Sequence, residues 1–415
     1  MCLCAFVPLC LGIMINISKL YCGRGGQSDA LRYSAKDLSG PVVVYNCTSK
    51  CNLKCLHCYS SSQTSRGDDE LNTAEAKNLL LQLAEANCPV VLFSGGEPLL
   101  REDLFELLAE ANRLGLRTVI STNGTLIDSA AADRFAQAGV SYVGVSIDGD
   151  EKFHDQFRAS KGSFKEALTG IENCQKAGLK TGLRFTITKQ NANKIPAVFD
   201  IAASANIRRI CFYHLIKAGR AKEITDSKNN LNAARYTLNA VETRQAVDTI
   251  IEKTKEFVQK KRVDEVLTVG NHADGPFILM KLKEFSRRRY GDVFSPQACL
   301  GVIEECQKLL TLHGGNKTGE KIACVTWDGS VHPDQFWHNY SLGSIKDKTF
   351  KAIWENPDEP VLKKLRNKSE FADKRCLKCK WLDLCKGNFR FLNGQSSSEN
   401  WLNEPSCYLT DEEIA

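Results

Sequence analysis

The feature that most limits the fold of this chain is a regular alternation of short apolar runs with helical stretches. PVVVYN (from Pro41), VVLFSG (from Val90), RTVIST (from Arg117), YVGVSID (from Tyr142), GLRFTIT (from Gly182) and RICFYHL (from Arg209) are rich in β-branched and aromatic residues. Continuous apolar runs of this kind suit strands covered on both faces of a parallel sheet. Between them TAEAKNLLLQLAEAN, DLFELLAEANRLG and SFKEALTGIENCQKAG keep a helical period. Asn72 is a candidate cap for the first, and Ser163 with Glu166 has the spacing of a capping box at the start of the third. Strand–helix repetition with right-handed crossovers predicts an α/β fold: a partial (β/α)6 barrel, open on one side, with a cysteine-rich extension after it.

The pattern divides the chain into an N-terminal extension over 1–40, the barrel over 41–230, a helical connecting region over 231–323 and a cysteine-rich region over 324–415. In the connecting region LNAVETRQAVDTIIEKTKEFVQKKR reads as one long helix ending in basic residues, as the helix dipole favours. CVTWDGSVHPDQFW reads as a hairpin turning at Asp328-Gly329. The stretch from Met1 to Ile17 is apolar but shorter than the roughly 20 residues that span a bilayer, and Pro8 interrupts it. No Lys or Arg precedes it, as a secretory signal would require. Translation is expected to begin at Met14, which opens the amphipathic segment MINISKLYCG, leaving residues 1–13 dispensable.

Eighteen cysteines are the outlier in the composition. A disulfide scaffold would be short and secreted, whereas this chain of 415 residues gathers cysteines at two- and three-residue gaps, which reads as metal ligation in a reducing, cytoplasmic compartment. The net charge of +6 is mild, and no run of Lys and Arg suggests a nucleic-acid partner. Neither is a membrane partner expected.

Cys51, Cys55 and Cys58 form a C-x3-C-x2-C run. Three thiolates from one tight loop hold three irons of a cubane [4Fe–4S] cluster and leave the fourth open to an exogenous ligand. Zinc is the plain alternative, but it prefers four ligands in paired knuckles. SGGEPLL follows the second predicted strand. Gly95 and Gly96 let backbone approach a ligand closely, and the extended residues around Glu97 and Pro98 leave carbonyls free to accept hydrogen bonds. Taken alone it could be a simple turn. Position argues otherwise. The cysteine loop, GGEP, STNG (Ser121, Asn123), SIDG (Ser146, Asp148) and HLIKAGR all follow strand ends on one rim, where ligand chemistry gathers in (β/α) barrels. The opposite turns, RLGLR and QAGVS, are plain. Arg184, inside the fifth strand, needs a carboxylate partner, from a ligand or from the protein.

CLKCKWLDLC supplies Cys376, Cys379 and Cys385, with Cys407 after a loop. Four thiolates fully ligate a second, auxiliary [4Fe–4S] cluster; zinc is a rival here. Cys299, Cys306 and Cys324 are further candidates read as structural. Cys88, Cys174 and Cys211 read as small core residues.

The order CNLKCLHC, GGEP, STNG, SIDG resembles the radical S-adenosylmethionine (SAM) superfamily, and the C-terminal cysteines resemble its branch with a SPASM or twitch extension. VHPDQFWHNYSLGSIKDKTF, CLKCKWLDLCKGNFR and CYLTDEEI are similar to enzymes that trim side chains from siroheme-derived tetrapyrroles, and MINISKLYCG, FYHLIKAGRA and TVGNHADG to those that remove acetates rather than propionates. The resemblance implies S-adenosyl-L-methionine as cofactor, conversion of 12,18-didecarboxysiroheme to iron-coproporphyrin III in haem biosynthesis, and reduced ferredoxin or flavodoxin as electron donor. It implies that Gly95, Gly96, Glu97, Pro98, Ser121, Asn123, Ser146, Asp148 and Arg184 surround SAM, and that His57 lies by the adenine. Lys217 and Arg220 are candidate anchors for substrate carboxylates, and His214, His272, His332 and His338 candidate ligands of the substrate iron. The haem d1 branch acting on propionates, a peptide-modifying SPASM maturase and a non-catalytic metal scaffold remain as alternatives. A maturase would carry a peptide-recognition domain before the barrel, and a scaffold would need no SAM pocket.

Overall fold

The computed structural model describes residues 14–23, 40–65, 67, 69–225, 235–288, 296–388 and 406–415. The stretch expected to be dispensable, 1–13, lies outside these residues, as does the side chain of Cys299.

The six expected strands form: β2 (Val42–Thr48), β3 (Val90–Gly95), β4 (Arg117–Thr122), β5 (Tyr142–Ser146), β6 (Thr181–Ile187) and β7 (Arg209–His214). They pair in parallel, each with the next. The sheet continues beyond both ends. β8 (Glu265–Val269) adds in parallel to β7, and β1 (Met14–Asn16) closes that edge antiparallel to β8. At the other end β9 (Ile322–Val325) lies parallel to β2, followed by β10 (Ser330–His332) and β11 (Gly343–Ser344). The result is one sheet in the order β1-β8-β7-β6-β5-β4-β3-β2-β9-β10-β11. The region expected to be only helical thus contributes β8. Its five residues EVLTV sit among charges, yet four of them are buried because the edge of β7 offers a ladder of free backbone groups. The hairpin expected at Asp328-Gly329 is β9–β10.

Helices cover the outer face. Asn72 caps the helix Thr73–Glu85 with a full capping box to Glu75, as its spacing suggests. The capping box expected at Ser163 does not form. Gly162 is the cap of Ser163–Lys176, and the carboxylate of Asp155 accepts from Gly162 N, Ser163 Oγ and Phe164 N, doing from a neighbouring helix what a local side chain would have done. The long helix is Ala240–Gln259, capped by Asn239. A continuous core, including Tyr45, Phe93, Phe135, Phe185, Phe199 and Phe212, fills the space between helices and sheet. Cys88, Cys174 and Cys211 are buried, as are Cys306 and Cys324. Among the described residues no helix is long and apolar enough to cross a membrane.

Candidate active site

A cavity of about 1200 Å³, counting the space at its mouth, opens at the C-terminal ends of the strands. Cys51, Cys55 and Cys58 line one wall, from the loop that follows β2. Gly95 and Gly96 hold that loop in place. A Cβ on Gly95, whose φ is +117°, would stand 2.5 Å from Thr48 O, and one on Gly96 would stand 2.0 Å from Lys50 O. Two backbones therefore meet where any side chain would wedge them apart. Gly96 N and Glu97 N donate to Thr48 O and Lys50 O across this contact.

The thiols differ in their surroundings. Cys51 Sγ accepts from Leu53 N at 3.4 Å, but burial pushes its thiol up to about 11. Burial raises Cys55 as well, opposed by the Arg158 guanidinium, which lies 3.6 Å from its sulfur. Cys58 goes the other way: burial alone would raise it, but hydrogen bonds from Ser60 and Ser62 and the charge of Arg220 together bring it below the ordinary thiol value. Arg158, which the sequence reading missed, is itself held by a 2.6 Å ion pair with the fully buried Asp148.

The other expected residues fall into two groups. Ser121, Asn123, Ser146 and Arg184 line the cavity together with Gly95 and Gly96. Arg184 lies over the ring of Tyr213 at 4.8 Å. Glu97, Pro98 and Asp148 do not line it. Glu97 is fully buried and accepts from Thr122 Oγ1, Asn123 N and Leu99 N, tying the end of β3 to the end of β4, and burial raises its carboxyl to about 6. Pro98 starts a short 3-10 turn behind it. Asp148 supports Arg158 and accepts from Thr186 N. His57 stacks on Phe157 with ring centres 4.4 Å apart, and burial lowers its imidazole to about 4. Arg220 turns toward the cysteine loop, donating to Cys55 O at 3.0 Å and Ser62 O at 2.6 Å, so its guanidinium is engaged with the loop; Lys217 is exposed. Of the histidines, His214 lines the cavity, His332 is hydrogen-bonded on both ring nitrogens, His338 packs near Tyr59, and His272 lies in the turn after β8. Tyr59, Thr186, Gln335 and Phe336 also line the wall.

A second, smaller cavity is lined by all four tail cysteines, Cys376, Cys379, Cys385 and Cys407. Burial pushes Cys376 up to about 12, helped by Asp373, and raises Cys379 and Cys385 too. Among the described residues no three His, Cys, Asp or Glu side chains converge closely enough to share a single ion. In both cavities the cysteines line a common space.

Comparison with known proteins agrees with this arrangement. The family model described as the radical SAM superfamily matches residues 45–202, and that of the SPASM iron-sulfur cluster-binding domain matches residues 317–380. Fe-coproporphyrin III synthase of Methanosarcina barkeri is 46% identical over 97% of this chain and 99% of its own length. Pre-heme d1 synthase of Dinoroseobacter shibae is 35% identical over 91% of this chain and 88% of its own. Among solved structures, anSMEcpe with bound AdoMet superposes with a TM-score of 0.63 at 20% identity, covering 87% of this chain and 92% of that one. SuiB of Streptococcus suis bound to S-adenosylmethionine gives 0.63 at 18%, covering 88% and 77%. These likenesses to solved structures speak to the fold. The cofactors of such a protein are a [4Fe–4S] cluster, S-adenosyl-L-methionine and auxiliary iron–sulfur. The chain belongs to the radical SAM enzymes with a SPASM extension, in the family that contains Fe-coproporphyrin III synthase and pre-heme d1 synthase.

Proposed function

We propose that this protein removes the acetate side chains of a siroheme-derived tetrapyrrole, taking 12,18-didecarboxysiroheme to iron-coproporphyrin III in haem biosynthesis. The observation that carries the reading is the 46% identity to Fe-coproporphyrin III synthase along nearly the whole of both chains, against 35% for pre-heme d1 synthase.

In this reading Cys51, Cys55 and Cys58 hold the SAM-binding cluster, and Cys376, Cys379, Cys385 and Cys407 hold an auxiliary one. When bound, the first cluster and SAM would supply radical chemistry for hydrogen abstraction. The chain binds, orients and excludes water. Gly95 and Gly96 bring backbone against the SAM amino group, while Ser121, Asn123, Ser146 and Arg184 offer polar contacts from three successive strands. Asp148 fixes Arg158, and Arg158 sets a positive charge beside Cys55, which favours the thiolate that ligation needs. Glu97 holds two strand ends in register behind the glycines. Reduced ferredoxin or flavodoxin serves as electron donor.

The test is an anaerobic assay with 12,18-didecarboxysiroheme, SAM and reductant, read by mass spectrometry. Loss of the acetates is the expected result; change at the propionates would assign the chain to the haem d1 reaction. Replacing Cys51, Cys55 and Cys58 with Ala should abolish 5′-deoxyadenosine formation. Normal SAM cleavage by that variant would sink the assignment.

A further inference from the structure

The turn after β8, TVGNHADG, takes no part in the site as described so far, yet it is tied to both cavities. Asp274 opens the helix Asp274–Arg288, where the helix dipole favours a carboxylate, and its side chain is fully buried. One of its oxygens, Oδ2, lies 2.9 Å from His214 Nε2, and the other, Oδ1, accepts from the Tyr408 hydroxyl at 2.7 Å. Tyr408 follows Cys407 in the tail. The same turn is fastened to that tail by Asn271 Nδ2 donating to Ser406 O, and by His272 N donating to Asn388 Oδ1, each at 2.8 Å. His214, Asp274 and Tyr408 therefore form a hydrogen-bonded chain from the auxiliary cysteines to the wall of the reaction cavity.

The direction of the hydrogens follows from the chemistry of the groups. Tyr408 donates to Asp274, and where the carboxyl is ionised it only accepts, so His214 Nε2 is then a donor as well. That leaves Nδ1 as the free ring nitrogen of a residue that lines the cavity, and among the described residues nothing hydrogen-bonds it. A buried carboxylate behind an imidazole fixes its orientation. A ring carrying a proton on each nitrogen presents one N–H to the cavity. The other cationic side chains of the wall are already engaged: Arg158 by Asp148 and Cys55, and Arg184 against Tyr213.

We propose that His214 is a substrate-binding residue that grips a carboxylate of the macrocycle through Nδ1–H, with Asp274 and Tyr408 as the positioning residues that hold the imidazole in place. The inference rests on the substrate being a carboxylated tetrapyrrole. It gives the tail a second duty, since the segment that carries Cys407 also sets the angle of a residue in the reaction cavity.

The test is an absorbance titration of the reconstituted holoenzyme, with SAM present and no reductant, against 12,18-didecarboxysiroheme and against its fully esterified form. His214→Ala should weaken binding of the free acid by roughly ten- to a hundredfold, the range for a lost charge-assisted hydrogen bond. Its iron content should match the wild type, and Tyr408→Phe should cause a smaller loss. His214→Asn, whose amide can place a donor near the position of Nδ1, should recover part of the affinity. The ester should bind wild type and His214→Ala alike. Equal binding of the free acid by wild type and His214→Ala would overturn this inference alone. Equal weakening for acid and ester would overturn it too, by reducing His214 to a packing residue. A wild type that binds neither form would overturn both this inference and the proposed function.

Discussion

The ion pair of Arg158 and Asp148 yields the sharpest expectation. Asp148 is fully buried, and Arg158 is its charge partner at 2.6 Å. Arg158→Met keeps most of the side-chain volume and removes the charge, leaving a carboxylate in a low-dielectric interior with the Thr186 N–H and the imidazoles of His57 and His154 nearby. Breaking one side of a buried pair costs about 3–5 kcal/mol. In the wild type burial would raise Asp148, but Arg158, His57 and His154 together hold it below the usual carboxylate range, so the contribution of the pair is complete above that range and is lost only as pH falls through the depressed value. In the variant burial, the largest influence, has lost its main opponent and raises Asp148 above its unfolded value. The folded variant then binds a proton that its unfolded chain does not, and its stability rises as pH falls through that window. The deficit measured by urea unfolding of the reconstituted protein should therefore be greatest at neutral pH and shrink toward pH ~5. Arg158→Met/Asp148→Asn should recover much of the loss, because no charge is left buried. A deficit below about 1 kcal/mol, or one independent of pH, would refute the view that Arg158 is needed to neutralise Asp148.

Two further expectations concern the clusters. Gly96→Ala places a methyl group 2.0 Å from Lys50 O, so the cysteine loop must shift; the variant should lose iron from the first site and keep it in the tail, read by iron content and electron paramagnetic resonance. In the Cys51→Ala/Cys55→Ala/Cys58→Ala variant the tail cysteines should still give the signal of one reduced four-iron cluster, and zinc there without iron would make the tail purely structural.

Much of the barrel was legible because its strands are covered on both sides and so run as unbroken apolar stretches, as VVLFSG and YVGVS do. β8 escaped notice for the opposite reason: EVLTV is short and edged by charge, and only the free edge of β7 makes it a strand. The site shows the same divide. Cysteines and glycines that act through one loop announce themselves by spacing. Arg158 lies at the end of the helix Glu151–Phe157 with nothing local to mark it, and its meaning comes from Asp148, on the far side of that helix, and Cys55 far upstream. His214, Asp274 and Tyr408 are separated by long intervening stretches, so no window of sequence holds them together. Glu97, which belongs to a motif that names it, turned out to brace two strands instead of facing the cavity.

The parallel pairing of β9 with β2 has a consequence for how the molecule comes apart. Val42, Val43, Val44 and Tyr45 lie opposite Ile322, Ala323, Cys324 and Val325, and all seven residues of β2 are buried. A fragment ending before residue 322 would present the strand that precedes the cysteine loop as a naked apolar edge, a template for aggregation. Limited proteolysis between the barrel and the tail should thus leave a nicked but undivided particle. Its two iron-binding parts should melt in one transition, and neither should be obtainable by expressing its own half of the chain.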